Sequence, residues 1–139
     1  MRFMVIVKGG EDYEAGTMPT EQELAEMGKF NEELANAGAM LAGEGLHPSS
    51  KGARITYDGD EPAVTDGPFA EAKELIAGFW LIQVKSKEEA VEWLKRAPFR
   101  EGEVEIRQVF EDDDFGDELT PELREQEQRI REQVEQQQP

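Results

Sequence analysis

The chain has 139 residues, no cysteine and a formal net charge of −17. That length suits one domain able to fold without a metal or a cross-link, and the missing cysteines remove disulfides, thiolate catalysis and zinc–thiolate sites together. The negative field repels phosphate backbones and anionic bilayers, so direct nucleic-acid binding and membrane attachment are set aside; solubility is the simplest use of the charge.

The chain opens on Arg2–Lys8, an apolar run flanked by charge. Five apolar residues are too few for a signal peptide or a membrane span, so this segment reads as a strand and the protein as cytoplasmic. Phe3, Val5 and Val7 face one way, Met4 and Ile6 the other, and both faces need cover. Gly9 to Pro19 reads as a loop. Thr20 and Glu23 have capping-box spacing and open a helix, with Leu24, Met27, Leu34 and Ala37 as its apolar stripe and Ala25 and Phe30 beside it. Gly38 ends that helix.

Residues 39–46 read as a second strand, in which Gly43 and Gly45 signal a bulge or a close backbone approach. After the turn at His47-Pro48-Ser49-Ser50, residues 53–57 and 62–66 form a hairpin. Asp66-Gly67-Pro68-Phe69 is a turn, and Pro68 opens a short helix through Glu74. Residues 77–84 are a strand apolar on both faces. Ser86 and Glu89 cap a helix to about Arg96, buried through Ala90, Val91, Trp93 and Leu94. Residues 103–109 are the last strand, with Val104 and Ile106 inward and Glu105 and Arg107 outward.

This order is a doubled βαβ with an inserted hairpin: an α+β, ferredoxin-like domain over residues 1–110. Two helices cover one face of a four-stranded sheet. The second apolar face therefore predicts a homodimer packed sheet to sheet.

Residues 111–139 are a separate acidic linker and charged helix, with 11 acidic and 3 basic side chains for a net of −8. Asp112-Asp113-Asp114 reads as solvated. Thr120 is an N-cap with Pro121 in the first helical position. Leu119, Leu123, Ile130 and Val134 make a thin apolar seam, and the closing Gln136–Pro139 should fray.

The run Thr65-Asp66-Gly67-Pro68-Phe69-Ala70-Glu71-Ala72-Lys73-Glu74 resembles the signature of the DGPF, or YCII-related, family, with Ala72 where threonine is common. Met1–Val5 and Leu41–Pro48 resemble that family's opening strand and the segment before its hairpin. The resemblance implies a ferredoxin-like fold dimerising as an α/β barrel. It also implies an association of some relatives with extracytoplasmic-function sigma factors, and a histidine–aspartate pair as catalytic centre in smaller relatives.

His47 is the only histidine, and near neutral pH the side chain best suited to moving protons. Asp66 can orient it, since both residues end strands bounding the same insertion. Glu44, Ser49 and Arg54 are candidate substrate-binding groups, with Arg54 suited to an anion. Asp66 before Gly-Pro also suits a purely structural turn. Gly43-Glu44-Gly45 lacks the spacing and the lysine of a phosphate loop, and one histidine among scattered acids is no transition-metal site. Phe79, Trp80 and Trp93 suit either a ligand pocket or plain core. Two functions remain open. One is a small-molecule-binding protein with acid/base catalysis (a lyase, isomerase or hydrolase step) and no cofactor. The other is a non-enzymatic module whose acidic tail contacts a transcription-type protein partner.

Overall fold

The computed structural model describes residues 1–137, the Lys73 side chain apart. Its compact units are residues 1–108 and the segment from Val109. In the first, strands β1 (Arg2–Lys8), β2 (Met40–Gly45), β5 (Ile76–Gln83) and β6 (Val104–Gln108) form one antiparallel sheet in the order β2-β5-β1-β6. Strands β3 (Ala53–Thr56) and β4 (Ala63–Asp66) form a separate hairpin, two residues shorter overall than the spacing predicts. Helices α2 (Glu21–Asn36) and α3 (Lys87–Lys95) connect β1 to β2 and β5 to β6. This is the doubled βαβ of a ferredoxin-like α+β domain.

Alternation along the strands decides the layers. Phe3 and Val5 of β1 stand opposite Ile82 and Trp80 of β5, and Val5 opposite Ile106 of β6, all on one face. That face meets Phe30 and Leu34 of α2 and Ala90 and Leu94 of α3 to form the core. Each large side chain fully buried there stabilises the fold by about 1.5–3 kcal/mol. Met4, Ile6, Phe79 and Leu81 point to the opposite face, where Met4 is exposed.

Capping follows the sequence closely. Thr20 Oγ1 accepts the Glu23 N–H at 3.1 Å, and Glu23 accepts the Thr20 N–H in return. At the other end the Ala39 N–H reaches Leu34 O and the Gly38 N–H reaches Ala35 O, a closure that needs the positive φ of Gly38. Ser86 Oγ caps α3 through the Glu89 N–H, while the Glu89 carboxylate takes the Lys85 N–H instead of completing the box.

Several expectations are corrected. The Gly9–Pro19 loop contains a one-turn helix α1 (Glu11–Glu14), which no side chain caps and which is too short to show periodicity. Leu24, Ala25 and Ala37 are exposed, so the buried stripe of α2 is Phe30 and Leu34 with Met27 half-buried. The register shift in β2 falls between Met40 and Ala42, not at a glycine. Gly43 is instead where the Trp80 indole comes close; a Cβ there would lie 2.8 Å from Trp80 Cδ1. Pro68 does not open a helix. Gly67–Pro68 is a cis peptide, the Phe69 N–H is held by Ser49, and only Ala72–Glu74 make a 3₁₀ turn.

The segment from Val109 is organised by polar contacts. Asp112–Glu118 form 3₁₀ turns interrupted at Gly116, and α4 runs from Pro121 to Gln137. Thr120 Oγ1 accepts the Leu123 N–H at 3.3 Å. Asp113 and Asp114 are exposed, as a solvated acid run should be, while Asp112 is half-buried; Asp112 and Asp113 meet Arg131 and Arg124 at 3.1 and 3.4 Å, and Asp114 accepts the Glu111 N–H at 2.8 Å. Phe110 and Phe115 stack at 4.9 Å. Of the four residues expected to fray, Gln136 and Gln137 are helical, and residues 138 and 139 lie outside those described. Among the described residues no helix is long and apolar enough to cross a membrane.

Candidate functional site

Three short segments meet beside the hairpin. The chain leaves β2 through Leu46 and His47, turns at Ser49–Lys51 and enters β3 at Ala53. From the other side come α1 and the Gly67–Phe69 turn. Ser49 ties them together. Its N–H donates to Glu14 Oε2 at 2.9 Å, its hydroxyl donates to Glu14 Oε1, and its Oγ accepts the Phe69 N–H at 3.0 Å. The hydroxyl proton therefore points at the carboxylate and a lone pair at the turn.

Gly67 explains part of the signature. Its N–H donates to Gly52 O at 3.0 Å, and a Cβ built on it would fall 1.7 Å from the Ser49 carbonyl oxygen. A side chain there would push the turn off the Ser49 segment. Phe69 carries the guanidinium of Arg54 over its ring at 3.9 Å, and Arg54 also reaches Glu71 at 3.4 Å. The Asp-Gly-Pro-Phe turn is thus the brace that sets Ser49 and Arg54.

Between these segments opens a cleft of about 430 Å³. Glu14, His47, Ser49, Lys51, Arg54 and Glu74 supply its polar walls. Leu46, Pro48, Phe69, Leu75 and Ile76 supply its apolar surface. A few polar groups converging on an apolar surface is the usual build of a small-molecule site.

His47, Ser49 and Arg54 therefore share one cleft, as the sequence suggests. Asp66 does not line it. It ends β4 opposite Ala53, its side chain is exposed, and no hydrogen bond or ion pair joins it to His47. Glu44 lies elsewhere, on the wall of a second cavity of about 220 Å³ with Asn31, Gly43, Phe79, Trp80 and Phe99. There the Trp80 indole N–H donates to Asn31 Oδ1 at 2.9 Å, and Phe99 meets Trp80 edge-on. Trp93 is half-buried against the core, under the Arg96 guanidinium at 4.0 Å.

Glu14, Lys51 and Glu74 escape a sequence reading. Glu14 comes from a single helical turn, and its role rests on a contact across 35 residues. Its neighbour Tyr13 donates its hydroxyl to Ala77 O at 2.9 Å. Burial pushes the Tyr13 phenol up, reinforced by the charge of Glu14 and partly offset by a backbone hydrogen bond at Leu46.

The model of the YCII-related domain matches residues 1–113. The chain belongs to the YCII-related family. An uncharacterized protein of Rhizobium meliloti (strain 1021) is 31% identical over 90 residues, which is 63% of this chain and 73% of that protein. Among solved structures, 5-chloro-2-hydroxyhydroquinone dehydrochlorinase from Burkholderia phenoliruptrix AC1100, in complex with 2,5-dihydroxybenzoquinone, is similar at a TM-score of 0.47 and 12% identity. The match covers 79% of this chain and 94% of that one.

Proposed function

We propose that this YCII-related protein binds a small molecule in the cleft beside the hairpin, with His47 exchanging a proton with it. The observation that carries this reading is the convergence of His47, Ser49 and Arg54 on one partly apolar cleft of about 430 Å³. Imidazole gives and takes a proton near neutral pH, so an elimination, isomerisation or hydrolysis step fits without further chemical groups. Asp66 enters only through the turn it opens. The first test is the NMR spectrum of the His47 ring in the native chain and in Asp66→Asn. Unchanged ring signals are expected; ring signals displaced by the substitution would bring Asp66 into the site. Fragment screening then supplies a ligand, and His47→Ala should abolish any turnover found. Turnover that survives the substitution would remove His47 from the chemistry.

The open sheet face supports assembly as a homodimer. Met4, Ile6, Phe79 and Leu81 share it, and α2 and α3 both pack on the other face. A second copy laid sheet to sheet would bury these side chains and close an α/β barrel. Light scattering on Leu81→Asp should show loss of a dimer mass seen for the native chain; a monomeric native chain overturns the assignment.

A non-enzymatic role has one observation in its favour. Leu123, Ile130 and Val134 of α4 are all exposed although they recur at helical spacing. Such a seam on a charged helix suits a protein partner, of the sigma-factor type that the family resemblance brings in. Binding of a purified sigma factor should vanish when the chain is cut at Glu111, and binding that persists would refute it.

A further inference from the structure

We infer that the ligand of the His47 cleft is a compact monoanion with an apolar body, a carboxylate being the simplest case, its charged end held by Lys51 and Arg54. This rests on the reading of that cleft as a small-molecule site.

In a chain of net charge −17, two cations three residues apart on the wall of one cleft run against the general field. Their states of engagement differ from that of Glu14. Glu14 receives both donors of Ser49, so its carboxylate is already turned onto the protein. Lys51 makes no ion pair among the described residues. Among the described residues the one ion pair of Arg54 is with Glu71 at 3.4 Å, between side chains about half exposed, and such a pair contributes little.

Geometry adds direction. The ring of Phe69 supports one face of the guanidinium, and the Ser49 hydroxyl fixes the Phe69 backbone. A stacked guanidinium keeps its N–H edge for a planar acceptor, and a carboxylate matches that fork with two parallel hydrogen bonds. Leu46, Leu75 and Ile76 offer the apolar remainder of the ligand a surface to cover. Glu74, on the same wall, opposes a second negative charge, which is why a monoanion fits better than a dianion. A cleft of about 430 Å³ lies at the small end of the range usual for ligand sites, roughly 300–1,000 Å³.

The experiment is a titration of the isotope-labelled full chain with phenylacetate, its neutral isostere phenylacetamide and the dianion phenylmalonate, followed at the His47 and Phe69 signals. Phenylacetate should bind about tenfold or more tightly than either, as expected for a charge-assisted pair. Arg54→Gln and Lys51→Gln should each cut that preference several-fold while circular dichroism stays native. Glu71→Gln should strengthen it, because it frees the guanidinium; a role limited to bracing the hairpin would not. Equal binding of amide and carboxylate overturns the monoanion assignment and leaves the cleft a ligand site. Silence of all three probes, and of a neutral and cationic fragment set, overturns the cleft reading itself and this inference with it.

Discussion

In the sheet body Val5, Leu34, Ile82 and Ala90 are wholly enclosed, whereas α4 buries no residue. The body is held by apolar area removed from water. The segment from Val109 is held by a threonine cap, two arginine–aspartate pairs and an aromatic stack. The two answer to different variables: apolar burial offers no charge for salt to screen, while exposed ion pairs are screened within a Debye length of about 8 Å at physiological ionic strength. The cleft lies between these extremes. Its walls set a few polar groups on an apolar surface, and its frame depends on hydrogen bonds between segments far apart in sequence.

Four experiments test that contrast. Leu34→Ala should cost about 2–5 kcal/mol in urea unfolding, since its side chain is fully enclosed between α2 and the sheet. A loss under about 1 kcal/mol would mean that the core can collapse around the gap. Gly67→Ala should cost about 1–3 kcal/mol, because the added methyl meets the Ser49 carbonyl oxygen. It should also displace the Phe69 amide resonance, and a native Phe69 signal would show that the turn does not brace the cleft.

Tyr13 tests the frame through pH. Burial raises its pKa, so the folded state holds the phenol proton more tightly than the unfolded chain does. The stabilisation is complete below about pH 10 and is lost as pH rises through the folded value. Tyr13→Phe removes the bond to Ala77 O, at a cost of about 1 kcal/mol, and should flatten the alkaline limb of a stability–pH curve. An alkaline limb identical to that of the native chain would contradict the assignment.

The smallest effect belongs to the tail. Arg131→Ala should cost about 0.2–1 kcal/mol, seen as lost helicity in low salt and absent at 1 M salt, because its partner Asp112 is only partly shielded. A loss of several kcal/mol, unaffected by salt, would place the tail among the apolar-packed elements.

What the amino-acid order determined by itself is local or periodic. The strand at Arg2–Lys8, the capping box at Thr20, the Ser86 cap and the Thr120–Pro121 helix start lie within a few residues of their own causes. The doubled βαβ follows from their order, and the ten-residue signature names the family. The tertiary structure decided what depends on distant partners. It placed a turn at Pro68 where the sequence predicts a helix start, and it holds the Phe69 N–H on a serine 20 residues away. It brought Glu14 to Ser49 across 35 residues and left Asp66 off the cleft that His47 lines. Chain order carries hydrogen-bond partners and hydrophobic period over one turn or one strand. Which side chains share a cleft is settled only when the segments pack.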